Sequence, residues 1–484
     1  MATNTTALPN AKQPTNWSAL SIVISLFFFW GFVAASNSML IPLFREKLEL
    51  SQTQAQFVDL AFYIAYFVGS VIYLLVGQSM GQDPLNKIGY KRGVIIGLLI
   101  SAFGMALFYP ATQIESYAFM LSALFTVGLG FSLLQTAAQP FAIALGDPSS
   151  GAQRLNLAGG INNFGTTIGP VIFSYAIFGA LSEKAPTDVS IQSLQAPYLT
   201  LGALFLLLAL LFKVSKLPVI VSDEKIEKGF GALRYPQLSL GMLAIFLYVG
   251  VEVAMASNLG EYLKEHENLN SSEISHYVSL FWASLMIGRW SAAVAAFNPS
   301  KSWAMILKVL VPYVAFAVYI LVNTLRGSDV SNLYDYGICI AIMIVVNFLS
   351  QDRPARQLML FALFGIAFIT VGLLAHGKIT LYCFLAGGLC CSVLWPCIFT
   401  LAISGLGKYT SQGSAFLVAM IMGGALVPVF QGYVADNFNI KASYFIAILC
   451  FSYLAWYGFK VARILRSQGI DFETTANDKG GYKD

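Results

Sequence analysis

The stretch GLGFSLLQTAAQPFAIALGDPSSGAQRLNLAGGINNFGTTIGP, Gly128 to Pro170, decides the reading of this chain. It is apolar enough to sit in lipid, yet it carries Gln135, Gln139, Asn162 and Asn163. A polar side chain inside a membrane is costly unless it faces a partner or a wet cavity. Gln135 and Gln139 stand four apart, so a helix puts them on one face. Pro140 brings no N–H and leaves the carbonyl one turn earlier without its helical partner. Gly159, Gly160 and Gly165 surround the asparagines and let another helix backbone come close. Such amides either tie helices together, at ~0.6–2 kcal/mol per bond, or wall a water-filled chamber. Their recurrence in several segments favours the chamber.

The rest of the chain agrees with a membrane setting. It is 57% hydrophobic and 11% charged, with a mean hydropathy of +0.70, whereas soluble domains carry about 25% charged residues. Apolar runs separated by short polar loops give about fourteen candidate spans of roughly 20 residues each. They cover 19–45, 53–77, 88–109, 116–145, 151–181, 197–217, 235–264, 271–297, 302–325, 334–350, 356–375, 378–404, 410–435 and 441–465. The runs are too long and too evenly apolar for barrel strands, so the fold class is an all-α polytopic membrane protein. Lys87, Lys91, Arg92, Arg154, Lys213, Arg289, Arg353, Lys408 and a C-terminal basic cluster from Lys460 all fall on one side if the N-terminus is cytoplasmic. Only Arg45, Lys47, Lys184, Lys264, Arg326, Lys378 and Lys441 fall on the other. This bias predicts both termini in the cytoplasm.

The longest charged connection, KVSKLPVIVSDEKIEKGFGALRY from Lys213 to Tyr235, divides the spans into two groups. The organisation expected is a cytoplasmic tail at 1–18, a six-helix lobe at 19–217, a cytoplasmic linker at 218–234, a second lobe at 235–465 and a cytoplasmic tail at 466–484. Two lobes joined by a linker is a transporter pattern. Fourteen spans exceed six plus six by two. The surplus is placed at about 302–350 as an inserted helix pair at the lipid-facing periphery. Removing it leaves the downstream topology unchanged, because two helices make a round trip.

Other polar residues join the amides of the opening stretch. Asn37 and Ser38 lie in the first span, Asp59 in the second, and Glu252 and Asn258 in the seventh. Amides donate and accept hydrogen bonds, as the hydroxyls of a neutral sugar require. Flat faces such as Trp30, Trp282 and Trp395 suit the apolar side of a pyranose. A strongly charged substrate calls for Arg or Lys at mid-span. Arg289 is read at a cytoplasmic helix end, in a structural gate role. The substrate set is therefore Asn37, Gln135, Gln139, Asn162, Asn163, Glu252, Asn258, Trp282 and Trp395. Asp59 and Glu252 are the embedded carboxylates. Each is tolerated if protonated, paired or bound to a cation, so each is a candidate coupling site. For Asp59 a helix-end or inter-helix hydrogen bond is the competing reading, and for Glu252 an uncoupled bond to substrate. The favoured coupling set is Asp59 with Asn37, Ser38 and Gln135, binding H+ or Na+, the latter as a metal at Asp59.

Other classes are disfavoured. Cys339, Cys383, Cys390, Cys391, Cys397 and Cys450 fall in apolar segments without CxxC spacing, so they read as small buried side chains. No HExxH, GxSxG or P-loop is present, so an enzyme is not expected. No basic run suits nucleic acid. No cofactor is expected beyond the coupling ion, and a monomer in the bilayer is.

At these residues the sequence resembles the fucose–galactose–glucose:proton symporter family of the major facilitator superfamily, in its glucose/galactose branch. The likeness is densest in SLFFFWGFVAASNSMLIPLF, in LLQTAAQPFAIALGDPSSGAQRLNLAGGINNFGT, in YVGVEVAMASNLGEYL and in SVLWPCIFTLAISGLGKYTSQGSAFLVAMIMGGALVPVFQGYVAD. The resemblance implies a twelve-span core, a sugar site between the lobes and alternating access. The sequence also departs from the fucose members. Ser38 and Gln135 stand where those carry an Asp and a Glu, and Gly159 and Glu252 stand where those carry glutamines. Gln135 and Glu252 match the glucose/galactose branch instead. The expectation is secondary active import of a glucose- or galactose-type hexose, coupled to Na+ or H+, in the plasma (inner) membrane. An uncoupled facilitator and a drug or lipid exporter on the same scaffold are the alternatives.

Overall fold

A computed structural model describes residues 14–37, 47–49, 54, 57–178, 190–220, 229–266 and 271–471. Among these the chain is helical and has no strand, as a bilayer demands of a backbone that must satisfy its own polar groups. The first lobe comprises α1 (Trp17–Asn37), α2 (Phe57–Met80), α3 (Tyr90–Gln113), α4 (Tyr117–Ala144), α5 (Gly151–Phe178) and α6 (Gln195–Val214). The second holds α7 (Pro236–His266), α8 (Ser271–Ala293), α9 (Lys301–Leu325), α10 (Gly337–Ser350) and α11 (Pro354–Leu374). A span broken into α12 (Lys378–Leu385), α13 (Gly387–Cys391) and α14 (Leu394–Ile403) follows, then α15 (Thr410–Ala419), α16 (Gly423–Asn437) and α17 (Phe445–Ser467).

Twelve helical stretches among the described residues are long and apolar enough to cross a membrane. The sequence predicts about fourteen. The two segments outside the twelve are α1 and α5. Of α1, the apolar part among the described residues is Trp17–Val33, and α5 carries Gln153, Arg154, Asn156, Asn162 and Asn163 among its apolar residues. Both helices form and pack along each other.

Within the first lobe α3 packs on α4 and α6, α2 on α4, and α1 on α5. In the second, α7 packs on α16 and α17, α11 on α17, and α8 on α9. The pair α9–α10 lies at the edge, with Trp303, Leu310, Leu321 and Val345 exposed, which fits apolar surface turned to lipid.

The two lobes meet along α5–α8, α2–α15 and α4–α15. Pro140 shapes the last of these contacts. Its missing N–H leaves the Thr136 carbonyl open, and the Ser414 hydroxyl of α15 donates to that oxygen at 2.9 Å. At the same end of the bundle, Asn86 Nδ2 donates to the Lys408 carbonyl at 2.8 Å, the Ser411 hydroxyl to Tyr90 Oη at 3.3 Å and Gln153 Nε2 to the Asp352 carbonyl at 2.7 Å. We call this the basic end, because Lys87, Lys91, Arg92 and Lys408 cluster there. The lobes are joined there through polar contacts, and Asp83 braces the corner. Its carboxylate caps the helical turn Pro84–Ile88 and accepts from the Tyr73 hydroxyl at 2.6 Å. Burial pushes the Asp83 carboxyl above the usual carboxylate range.

The glycines of the opening stretch set the α1–α5 crossing. A Cβ on Gly31 would lie 2.0 Å from the Asn162 carbonyl oxygen, and one on Gly165 would lie 2.4 Å from the Phe28 carbonyl oxygen. Both neighbours are backbone and cannot swing aside. We expect Gly165→Val and Gly31→Val each to cost at least about 2 kcal/mol through overpacking. The control is Gly432→Ala, where the added Cβ meets nothing within 4 Å and the change should stay within about 0.5 kcal/mol. Thermal unfolding in detergent compares the three, and equal midpoints would contradict the crossing.

Candidate functional site

Between the lobes lies a cavity of about 280 Å³, close to the lower end of small-molecule pockets, about 300 Å³. Both lobes line it. From the first come Trp30 of α1, Tyr63 and Tyr66 of α2, Gln135 and Gln139 of α4, and Gly159, Asn162 and Asn163 of α5. From the second come Tyr248 and Glu252 of α7, Trp282 and Arg289 of α8, and Trp395 of α14.

Helix periodicity explains the convergence. Gln135 and Gln139 share a face of α4, as do Tyr248 and Glu252 on α7. Trp30 Nε1 donates to Tyr66 Oη at 3.0 Å, which holds the indole against α2. Asn162 Nδ2 donates to the Phe27 carbonyl at 2.9 Å, so this cavity-lining amide also pins α5 to α1.

A polar chain crosses the cavity from lobe to lobe. Tyr248 Oη donates to Glu252 Oε1 at 3.0 Å. Arg289 Nη2 donates to Tyr248 Oη at 3.2 Å, and Nη1 donates to Asn163 Oδ1 of the opposite lobe at 2.6 Å. Arg289 Nε donates to the Ser392 carbonyl at 2.8 Å. Gly159 makes room: a Cβ there would lie 3.1 Å from Arg289 Nη1. Glu252 and Arg289 are the charged residues among the described lining. One carboxylate and one guanidinium, linked through a tyrosine hydroxyl, leave the wall formally neutral.

The sequence-predicted residues divide as follows. Gln135, Gln139, Asn162, Asn163, Glu252, Trp282 and Trp395 all line this one cavity. Asn258 is not among the described lining; its Nδ2 donates to the Ala254 carbonyl of its own helix at 2.9 Å, six residues beyond Glu252. Ser38 and the side chains of Asn37 and Asp59 lie outside the described residues. The reading of Arg289 needs a correction. It sits near the end of α8, as expected, but its guanidinium also forms part of the cavity wall, so a cation does reach the site. Reading the helix end as remote from the cavity misses that a long side chain spans more than a turn. Tyr248 was legible from its four-residue spacing to Glu252, whereas Tyr63 and Tyr66 gave no signal apart from the aromatic richness of α2.

The model of the Major Facilitator Superfamily matches residues 22–340. The chain belongs to this superfamily. It is a transporter and a multi-pass membrane protein. A glucose/galactose transporter of Brucella abortus biovar 1 (strain 9-941) is 34% identical over 453 residues, 93% of this chain and 95% of that one. The L-fucose-proton symporter of Escherichia coli (strain K12) is 29% identical over 457 residues, 89% of this chain and 90% of that one. The crystal structure of the transporter FucP in the outward conformation superposes with a TM-score of 0.71 at 27% identity, covering 91% of this chain and 98% of FucP. The resemblance drawn from the sequence motifs is thus to the right family of symporters.

The polar chain across the cavity makes a test. Arg289→Leu strands Asn163, the Ser392 carbonyl and the Glu252 charge together, and should cost about 2–4 kcal/mol. Arg289→Lys should recover little, because an ammonium cannot reach the same acceptors in a planar fork. In a double-mutant cycle with Glu252→Gln, the pair should cost less than the sum of the singles. Thermal unfolding in detergent measures all three, and strict additivity would break the proposed link.

Proposed function

We propose that this transporter imports a neutral hexose of the glucose or galactose type by alternating access, coupled to a cation. The carrying observation is the cavity itself. Its amides stand beside Trp30, Trp282 and Trp395, and its described charges compensate each other. Amide groups offer paired donors and acceptors to sugar hydroxyls, while indole faces cover the apolar side of the ring. An anionic substrate would find the Arg289 donors already directed at Asn163, Ser392 and Tyr248. A lipid or drug would find too many amides to desolvate. The glucose/galactose transporter relative supports the hexose class. Ser38 and Gln135, which replace the acids of the fucose members, support glucose or galactose over fucose.

In this reading the structure is in its outward-open state, with the basic end cytoplasmic and shut, in keeping with the outward conformation of FucP. The termini then lie in the cytoplasm of a cell whose inner membrane holds the protein. Substrate binding draws the free ends of the lobes together. The hydrogen bonds of the basic end then exchange for water, at a cost of ~0.5–1.5 kcal/mol net for each bond. Coupling is assigned to Asp59 with Asn37, Ser38 and Gln135, with H+ or Na+ as the ion. The two missing acids make an uncoupled facilitator the second reading.

Reconstitution in liposomes separates these. We expect concentrative uptake of glucose or galactose, above fucose, under an imposed sodium or proton gradient. Asp59→Asn should abolish accumulation yet keep sugar exchange. Undiminished accumulation by Asp59→Asn would remove that residue from coupling, and gradient-independent uptake in the unmodified protein would establish the facilitator.

A further inference from the structure

The inserted pair α9–α10 reads as peripheral, yet it carries an ion pair that lipid contact does not require. Lys308 of α9 and Asp352, just past α10, expose 5% and 8% of their surfaces. Lys308 Nζ donates to Asp352 Oδ1 at 2.7 Å and to Oδ2 at 2.6 Å. A buried charge within a membrane segment is tolerated when it is paired in this way. Gln351 and Asp352 both hold left-handed backbone, with φ of 55° and 56°, which non-glycine residues adopt only when their surroundings impose it. The carbonyl of the clamped residue accepts from Gln153 Nε2 of the opposite lobe at 2.7 Å. Gln153 lies in the first turn of α5, just before Arg154, and is itself buried.

The pair is also tied to its own lobe. Pro312 leaves the Lys308 carbonyl without its helical donor, and the Ser291 hydroxyl of α8 donates to it at 3.3 Å. Asn347 Nδ2 of α10 donates to Ser291 Oγ at 2.9 Å, and Gln357 Nε2 of α11 donates to Asn347 Oδ1 at 3.0 Å. Ser291 is two residues from Arg289. The inserted helices therefore move with the wall of the cavity, as part of the second lobe.

We propose that Lys308 is a positioning residue of the transport cycle: by clamping Asp352 it holds that residue's carbonyl where Gln153 of the other lobe reaches it, so the inserted pair helps to keep the basic end shut. The inference rests on alternating access, and not on the identity of the sugar. The side chain that forms the lock is on α5 of the first lobe, while the charge that aims its acceptor is on α9 of the second. Loss of the clamp shifts the balance between the two end states, and leaves the cavity residues unchanged.

Distance measurement between spin labels tests it. Labels go on Arg92→Cys of α3 and Arg466→Cys of α17, both exposed near the basic end. The native cysteines among the described residues are all buried and stay unlabelled. Without sugar, Lys308→Met should raise the ratio of long to short distances about tenfold. Gln153→Leu should do the same, and the double variant should add less than the product of the two factors. Lys308→Arg, which still reaches both carboxylate oxygens, should leave the ratio as in the unmodified protein. An unchanged ratio in Lys308→Met, or a Lys308→Met effect of full size on top of Gln153→Leu, overturns the proposal. If Lys308→Met does not accumulate in the membrane, Gln153→Leu decides, since it removes no charge, and an unchanged ratio there also overturns the proposal. Uptake failing for every hexose would sink the substrate reading and leave this measurement standing, because no sugar is in the sample.

Discussion

The guanidinium of Arg289 is the point on which the two lobes and the cavity depend together. It donates to Asn163 in one lobe and to Ser392 and Tyr248 in the other, and it floors the space between them. A planar fork holds several donors in fixed directions and so joins acceptors on different helices, whereas an ammonium is a compact point charge. The site and the inter-lobe contact therefore share an atom group. Anything that changes the charge or position of Glu252 is felt at Asn163 through Tyr248, and so at the junction of the lobes. A transporter needs that kind of link, because binding must alter the relative stability of two arrangements of the same lobes.

Much of the fold was legible because lipid leaves few options. Apolar runs of span length can only be helices, and a polar residue within one must answer for itself. That argument alone puts Gln135, Gln139, Asn162, Asn163 and Glu252 around one cavity, which they line. The Pro140 prediction was equally physical: a missing donor frees a carbonyl, and the carbonyl of Thr136 found Ser414. What sequence did not give was the partner. Thr136 and Ser414 are separated by 278 positions, and nothing local selects one serine in α15 over another. Asn258 shows a related limit. A polar residue on the right helix can equally bond back to its own backbone, and spacing from Glu252 does not distinguish the two outcomes.

The inserted helices show the same limit from the other side. Their outward faces are apolar and behave as the sequence expects. Lys308 looks like one more basic residue near a membrane end, and Asp352 like one more loop acid. Only the fold brings them within 2.6 Å and buries both. A buried pair of this kind gives little net stability, so its value lies in geometry: it fixes where a main-chain carbonyl points.

The character of the seam follows from what it must do. An apolar contact between the lobes at the basic end would gain ~25 cal/mol for each Å² removed from water and would resist opening in proportion to its area. Hydrogen bonds between neutral groups behave differently, since water replaces each at nearly the same free energy. The seam here includes amides, hydroxyls and carbonyls at Asn86, Ser411, Ser414 and Gln153, beside aromatic contacts where the Trp290 indole packs on Gly160 of the other lobe and Trp17 stacks on Phe297. Such a seam specifies one arrangement sharply and yet costs little to exchange for another once water enters. The glycines supply the fit for the aromatic contacts, and the polar groups supply the direction.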